Sequence, residues 1–322
     1  MHTTPDKDHE VAPSVAMPRA WASRRAIAPT AALLATALAI AYFGTRFAMR
    51  DTGELPIPAA GTATLLRTVV FVALTVHLGE LVGKRLVNRG ALPRSWSRAA
   101  ALAGAVGAGG QIIRLAVVSD IDMTTAYGTR EGQLLLIMAN GFLAAAGCAA
   151  LRRPALAAVP LALVIVAEAI RAHPEQYSPE FGAALTVCHL TAASLWAGGL
   201  LYVLRALRLR QPNRADAKAV LAGYARLAAW LLAALAVTGT LSTLRRLPTD
   251  VVLDTAYGRV LIVKVALVAV ACALALVARH RMLRGRPDAQ RPARVELIVL
   301  GVTLLISSIL TVVPDPHWLS AR

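Results

Sequence analysis

Residues 255–278 read TAYGRVLIVKVALVAVACALALVA, and after the opening Thr-Ala-Tyr-Gly the only charged side chains are one arginine and one lysine. A helix needs about twenty mainly apolar residues to cross the hydrocarbon core of a bilayer. This stretch therefore predicts a membrane-spanning helix. The same tetrapeptide occurs at 125–128, directly ahead of the apolar run GQLLLIMANGFLAAAGCAAL at 132–151. The chain thus enters two hydrophobic segments in the same way.

The composition of the whole chain agrees with this interpretation. Hydrophobic residues make up 57% of the 322 residues and charged residues only 16%, which is too little polar surface for a soluble protein of this size. The net charge of +16 comes from lysines and arginines in short clusters between apolar runs. That placement indicates membrane topology and not a nucleic-acid surface, so we expect an integral membrane protein whose partner is the lipid bilayer.

Nine segments are long and apolar enough to span a membrane, which predicts an all-α, polytopic transmembrane helical bundle. Residues 1–26 form a polar arm that we expect to be disordered and cytoplasmic. The apolar run after it is longer than that of a signal peptide, so we expect it to be retained. The predicted spans are about 27–48, 62–83, 99–118, 132–151, 154–172, 182–204, 222–244, 258–279 and 295–313.

The loops between these segments alternate in charge. Counted from the N-terminus, every second connecting segment is rich in lysine and arginine, and the segments between carry fewer basic residues together with most of the acidic ones. Basic loops stay on the cytoplasmic side of a membrane. The pattern predicts a multi-pass protein of the plasma (inner) membrane with its N-terminus inside and its C-terminus outside.

The repeated Thr-Ala-Tyr-Gly indicates an internal duplication. Both copies fall in loops predicted to face outwards, before the fourth and the eighth span, so spans two to five match spans six to nine. An even number of spans in each unit makes the two repeats parallel. We therefore expect one extra helix plus two parallel four-helix repeats, divided into an N-terminal membrane half at 27–172 and a second half at 182–314.

Ionisable and sulfur-containing side chains within the apolar runs are candidate functional sites, because a polar group at membrane depth is costly. Thiol, thioether and imidazole groups suit Cu(I). The sequence predicts copper ligands at His189, Cys188, Met138, His77 and Glu80. Four further residues are predicted to support the pathway or lie at its outer mouth: Glu168, Lys264, His173 and Met123.

Structural alternatives remain open for several of these residues. His189 could be a hydrogen-bonded histidine between helices. His77 and Glu80 lie three residues apart in one span, so they could form a second station on a pathway or a paired histidine and carboxylate. Lys264 and Glu168 could neutralise each other. All three cysteines, Cys148, Cys188 and Cys272, fall within apolar runs, where free cysteine usually acts as a small hydrophobic residue.

The stretch HLTAASLWAGGLLYVL at 189–204 resembles the His-x(6)-Trp-x-Gly-Gly-Leu segment of the CopD copper-resistance membrane proteins. Three later stretches follow in the order seen in that family. They are YARLAAWLLAALAVTGTL, with Arg226, Thr238 and Gly239; TAYGRVLIVK, with Tyr257, Gly258, Arg259 and Lys264; and RVELIVLGVTLLISSILTVVP, with Arg294, Glu296 and Pro314. The similarity covers about residues 182–314, and the first half resembles the family more loosely.

This resemblance implies a copper-handling membrane protein that moves copper into the cytoplasm, with copper as substrate and with a periplasmic or extracellular CopC-type carrier as a partner. The positions that match its most recognisable segment are His189, Trp196, Gly198 and Gly199. The two glycines also permit close approach of another helix. A tryptophan near the middle of a span suggests packing against a cavity or a neighbouring helix.

Three functions remain in competition at this stage. Copper transport is favoured, and since the chain has no Gly-x(4)-Gly-Lys-Ser/Thr loop we expect passive or ion-coupled movement and no enzymatic activity. The second function is that of a haem-binding oxidoreductase or assembly factor, in which histidines of separate helices ligate the iron. The third is a sensor or scaffold that binds copper without moving it.

Overall fold

The computed structural model describes residues 20–87, 92–172, 178–210, 214–247, 251–284 and 290–314. These residues form ten α-helices and one short 3-10 helix, Pro154–Ala157, directly before the sixth. The helices are α1 (Ala20–Ala48), α2 (Ala60–Leu86), α3 (Ser97–Ser119), α4 (Met123–Gly128), α5 (Arg130–Ala150), α6 (Ala158–Ala172), α7 (Pro179–Arg210), α8 (Arg214–Arg246), α9 (Ala256–Leu283) and α10 (Gln290–Leu310).

Nine helical segments of this described part are long and apolar enough to cross a membrane, and each coincides with a predicted span. The prediction of a polytopic helical bundle is therefore confirmed. Only the six-residue α4 is too short to span. α1 packs on the outside of the bundle, against α2, α9 and α10, which agrees with its prediction as an additional helix.

The bundle is organised around a close contact between α2 and α7. A Cβ atom on Gly79 would overlap the backbone of Gly198, and one on Gly198 would overlap the carbonyl oxygen of Thr75. Four residues further along both helices, Gly83 faces the ring of Tyr202. Because the residue numbers rise together along the seam, α2 and α7 run in parallel. Small residues allow this close approach, as predicted for Gly198.

The contacts on either side of this seam are paired, which supports the predicted duplication. The seam relates residues 119 positions apart (79 to 198), so Val70 corresponds to His189. Val70 faces Gly107 of α3, and His189 faces Gly239 of α8, so the two residues occupy matching places. Each half also has its own apolar core, one built mainly from α2, α3, α5 and α6 and the other from α7, α8, α9 and α10.

The entries into α5 and α9 have matching geometry, which gives a different alignment of the predicted repeat. The Thr129 hydroxyl accepts a hydrogen bond from the Gly132 N–H at 3.0 Å, and the Thr255 hydroxyl accepts one from the Gly258 N–H at 3.2 Å. In both cases a Cβ on the glycine would overlap the carbonyl oxygen six residues earlier. The matching threonines are 126 positions apart (129 to 255), so the first Thr-Ala-Tyr-Gly lies one helical turn early, within α4. We call the end of the bundle with these entries the TAYG end.

The two halves differ in one contact. α3 packs along α5, whereas the corresponding helices α8 and α9 barely touch. Part of the difference comes from Gly104 of α3, because the ring of Phe142 from α5 occupies the space where a side chain at this position would lie. Between α8 and α9 a cavity of about 190 Å³ remains, backed by α7 and α10.

Candidate metal site

His189 lies on α7, about two turns from the first residue of the predicted span, and faces α8. Its Nδ1 atom is 2.9 Å from the Thr238 hydroxyl oxygen. The Thr238 hydroxyl donates its own proton to the Ala234 carbonyl at 2.7 Å, so towards His189 it accepts. The network therefore assigns the proton of the neutral imidazole to Nδ1 and leaves Nε2 as the basic nitrogen. Such an arrangement orients a histidine for metal binding.

The surroundings of His189 leave its second nitrogen accessible. No partner for Nε2 occurs among the residues that the structure describes, and the side chain is only partly buried. Gly239 lies opposite the ring, and a Cβ atom at this position would be in van der Waals contact with the imidazole, 3.6 Å from its Cε1 atom. Lys264 of α9 is near enough for its charge to act on the imidazole. The site thus has one oriented nitrogen donor next to one lysine.

Two turns further along the same face of α7 lies Trp196, about 10 Å from the level of His189. Its carbonyl oxygen accepts a hydrogen bond from the Tyr224 hydroxyl at 2.8 Å, and the Tyr224 ring packs on Gly199. The indole and Tyr224 form one wall of the cavity between α8 and α9. Trp196 therefore lies against both a cavity and a neighbouring helix, the two environments suggested for a tryptophan in the middle of a span.

Met138 and Cys188 do not join His189. Met138 is fully buried in the first apolar core, between Leu135 and Phe142. In the 126-residue register it occupies the place in the first half that Lys264 takes in the second. Cys188 is exposed, because neighbouring helical residues point about 100° apart and His189 faces inwards. Met123 lies exposed at the first turn of α4, and His173 lies outside the described residues.

Glu80 lies near the end of the bundle opposite the TAYG end, and all its partners come from the start of α3 and from α7. Its oxygens accept hydrogen bonds from the Ser95 and Ser97 hydroxyls, both at 2.6 Å, and from the Trp96 N–H at 2.7 Å. Arg205 adds a salt bridge at 3.0 Å. This carboxylate therefore holds the N-terminus of α3 against α7.

His77 is fully buried, and neither of its ring nitrogens has a hydrogen-bond partner within the described part of the chain. The bonds of Glu80 go to α3 and Arg205, so the pairing of His77 with Glu80 considered above does not form. An unpartnered imidazole keeps its ligand capacity, although nothing orients its ring.

Glu168 belongs to an ion-pair network at the TAYG end of the first half. The Arg171 guanidinium donates to both of its oxygens, with contacts of 2.8 and 3.0 Å to Oε2, and also reaches Glu131 at 3.3 Å. Arg67, which donates to the Thr311 carbonyl, lies close by. Glu168 is thus neutralised by Arg171 and not by Lys264.

Residues 218–310 match the family model described as copper resistance protein D. Over these residues the chain is similar to the CopD family. The match includes α9, α10 and most of α8, and so contains Thr238, Lys264 and the cavity wall formed by α8 to α10. The family ties the protein to copper resistance. No curated protein and no solved structure matches the chain.

A haem that bridges His77 and His189 is disfavoured by the helix packing. The seam places His77 level with Trp196, and therefore about 10 Å along the bundle from His189. The backbones of α2 and α7 are in contact at Gly79 and Gly198, two residues beyond His77 and Trp196 respectively. A pair of axial ligands needs similar depth and room for the macrocycle between the helices, and the seam provides neither.

The site also contains residues to which the sequence analysis assigned no binding role. In the sequence analysis Thr238 and Glu296 were named only as parts of the family pattern. Tyr224 and Cys272 were not named as site residues. Glu296 could have been found, because an acidic side chain within a predicted span is a default functional candidate. In the described residues no group of three or more His, Cys, Asp or Glu side chains is gathered for a metal ion.

Proposed function

We propose that the protein carries copper, as Cu(I), across the plasma membrane towards the cytoplasm. The observation that supports this most directly is the oriented imidazole of His189, whose Nδ1–H is held by Thr238 and whose Nε2 is accessible. The copper-resistance family supplies the metal, and an imidazole nitrogen in the TAYG half of a spanning helix supplies a ligand for it.

The charge pattern of the loops supports the direction. The clusters of lysine and arginine favour an orientation with the TAYG end outside and the Glu80 end inside. Copper then enters from the outer surface, where a CopC-type carrier would deliver it, and meets His189 first. His77, about two turns deeper and across the seam, would be a later ligand on the path.

The other predicted ligands take different parts in this proposal. Met138 is buried in the first core, and Cys188 is exposed and points about 100° away from His189, so both would bind copper only after a rearrangement. Glu80 is already occupied by the start of α3 and by Arg205, and we assign it the role of holding that end of the bundle closed.

The test is Cu(I) uptake into proteoliposomes preloaded with a Cu(I) chelator. We expect the native protein to accumulate copper and His189→Ala to lose at least nine-tenths of the initial rate. His280→Ala is the matched control, because His280 is an exposed histidine near the end of α9 and should leave the rate unchanged.

Each other outcome selects a different function. Uptake that is indifferent to His189 would retain transport and reject this ligand. Binding of Cu(I) by folded protein without uptake would instead establish a sensor or scaffold. An absorption band of bound haem in the purified protein would favour the oxidoreductase.

A further inference from the structure

The cavity between α8 and α9 contains a buried carboxyl group that no other part of the fold uses. Glu296 of α10 is 3% exposed, and its Oε1 atom has no hydrogen-bond partner among the residues that the structure describes. The Trp196 indole lies beside the carboxyl but outside normal hydrogen-bond geometry. No salt bridge joins Glu296 to Arg279, the exposed cation at the cavity rim, within the same described part. An unpaired carboxyl at membrane depth calls for a proton or a cation.

The other wall of this cavity adds a soft ligand. Cys272 of α9 lines the same space and lies near enough to Glu296 for the two groups to interact electrostatically. Its thiol is half-buried and free. Trp196 and Tyr224 complete the wall with aromatic rings, which attract cations. Apart from Arg279 at the rim, the remaining lining is apolar, so a cation bound inside would meet one thiol, one carboxylate and two rings.

The position of the cavity connects it with His189. Trp196 and His189 share one face of α7, two turns apart, so the cavity lies about 10 Å further from the TAYG end. The wide separation of α8 and α9, absent from the corresponding pair α3 and α5, keeps this space open.

We propose that Cys272 and Glu296 form a second binding station for a soft monovalent cation, Cu(I), one step beyond His189. The inference rests on the proposed function and deepens it. When the cation binds, a Cu–S bond forms, the S–H bond breaks and the thiol proton passes to the Glu296 carboxylate in the same cavity. The Cys272 thiolate then balances the charge of the cation, and Glu296 becomes a neutral acid. No change in oxidation state is involved.

The test uses Ag(I), a redox-inert analogue of Cu(I), and measures alkylation and not transport. One full-length variant keeps only Cys272 (Cys148→Ser, Cys188→Ser), and its control keeps only Cys148 (Cys188→Ser, Cys272→Ser), which is also half-buried but lies in the first half. We expect Ag(I) to slow N-ethylmaleimide modification of Cys272 at least tenfold, at concentrations that leave Cys148 within twofold of its free rate.

Glu296 is tested in the Cys272-only protein. Glu296→Gln should remove most of the protection of Cys272 by Ag(I). Glu296→Asp keeps the carboxylate and should retain part of the protection. If Glu296→Gln does not fold, partial protection in Glu296→Asp tests the role of the carboxylate. Equal protection of Cys148, or protection indifferent to Glu296→Gln, would overturn the proposal. Slowing by added lipid with no effect of Ag(I) would assign the cavity to an apolar molecule and likewise overturn it.

The two proposals fail separately. Absence of Cu(I) uptake by the native protein would reject transport while the Ag(I) protection of Cys272 could still stand. Uptake that needs His189, with Cys272 unprotected, would retain transport and reject the second station.

Discussion

A single hydroxyl group determines which nitrogen of His189 is available. Thr238 uses its proton on the Ala234 carbonyl and its lone pair on the His189 Nδ1–H, so the imidazole presents Nε2. Thr238→Val keeps the shape and removes the acceptor. We expect Cu(I) affinity, measured by competition with a chromophoric chelator, to fall about tenfold, because partners that orient a ligating histidine typically contribute that much.

The control is another threonine of α8. The Thr243 hydroxyl donates to the Gly239 carbonyl at 2.8 Å and makes no hydrogen bond to His189, so Thr243→Val should leave the affinity unchanged. Equal losses in both variants would mean that the effect comes from the helix and not from the orientation of His189.

Glu80 illustrates an ionisable residue in a span whose role is structural. Glu80→Gln should lower the free energy of unfolding by about 3 kcal/mol, because Arg205 remains as a mostly buried charge that has lost its partner. Thermal unfolding in detergent measures this. Glu180→Gln, at an exposed position of the first turn of α7, should have little effect. A Glu80→Gln protein of native stability but with weakened copper binding would return Glu80 to the metal site.

At the scale of the helix, the seam between α2 and α7 depends on the absence of a side chain. Gly198→Ala would place a methyl group against the Thr75 carbonyl, and overpacking of this kind typically costs about 1–3 kcal/mol. Gly223→Ala on α8 meets open space and should stabilise its helix by up to about 1 kcal/mol. Comparing the two midpoints of thermal unfolding tests the seam, which would be refuted if Gly198→Ala were as stable as Gly223→Ala.

The short helix α4 depends on a carboxylate at its N-cap. Hydrogen bonds from Thr124 and Thr125 hold the pKa of the exposed Asp122 carboxyl well below its usual range. The carboxylate therefore stabilises α4 fully above the ordinary aspartate pKa of about 3.9, and this contribution is lost only as the pH falls towards the lowered value.

Hydrogen exchange of the Thr124 and Thr125 amides measures this contribution. Their protection should be constant from about pH 7 to pH 5 and decline only below about pH 4, whereas Asp122→Ala should lose it throughout. A loss near neutral pH in the native protein would show that another group controls the cap.

The helices themselves could be predicted because the bilayer imposes a length and a composition on each. All nine predicted spans coincide with helices. The ends were less accurate: α7 extends to Arg210 and α8 begins at Arg214, beyond the predicted spans, because basic and small residues can continue a helix past the apolar run. α4 was missed because it is too short for a periodic pattern.

For the whole molecule, the charges of the loops predict the orientation in the membrane. In a cysteine-free background, Leu253→Cys at the TAYG end should react with a membrane-impermeant maleimide in intact cells. Arg284→Cys, at the other end, should react only after permeabilisation. Both positions are exposed, so access to the reagent depends on the side of the membrane. The reverse pattern would invert the bundle and the proposed direction of copper movement.

The sequence predicts a duplication, but the alignment of the two halves that it suggests differs from the one that the helix entries suggest. Thr-Ala-Tyr-Gly aligns the halves 130 residues apart, whereas the helix entries align 126 apart, because the Thr-x-x-Gly cap, and not the identity of the tetrapeptide, begins each helix. Under the structural register Met138 and Lys264 take equivalent places in separate halves. That relation explains why Met138 and His189 do not form one site.

The sequence by itself predicted the nine apolar helices that the described part of the chain contains, a repeat of two halves and His189 as a candidate copper ligand. Those properties follow from hydropathy, loop charge and short motifs, which act locally along the chain. Only the tertiary structure decided that Thr238 orients His189, that Arg171 neutralises Glu168 and that Glu80 holds α3. It alone placed Cys272 and Glu296 around one cavity. These relations depend on which helix faces meet, and the packing of small residues at the seam sets that for the whole bundle.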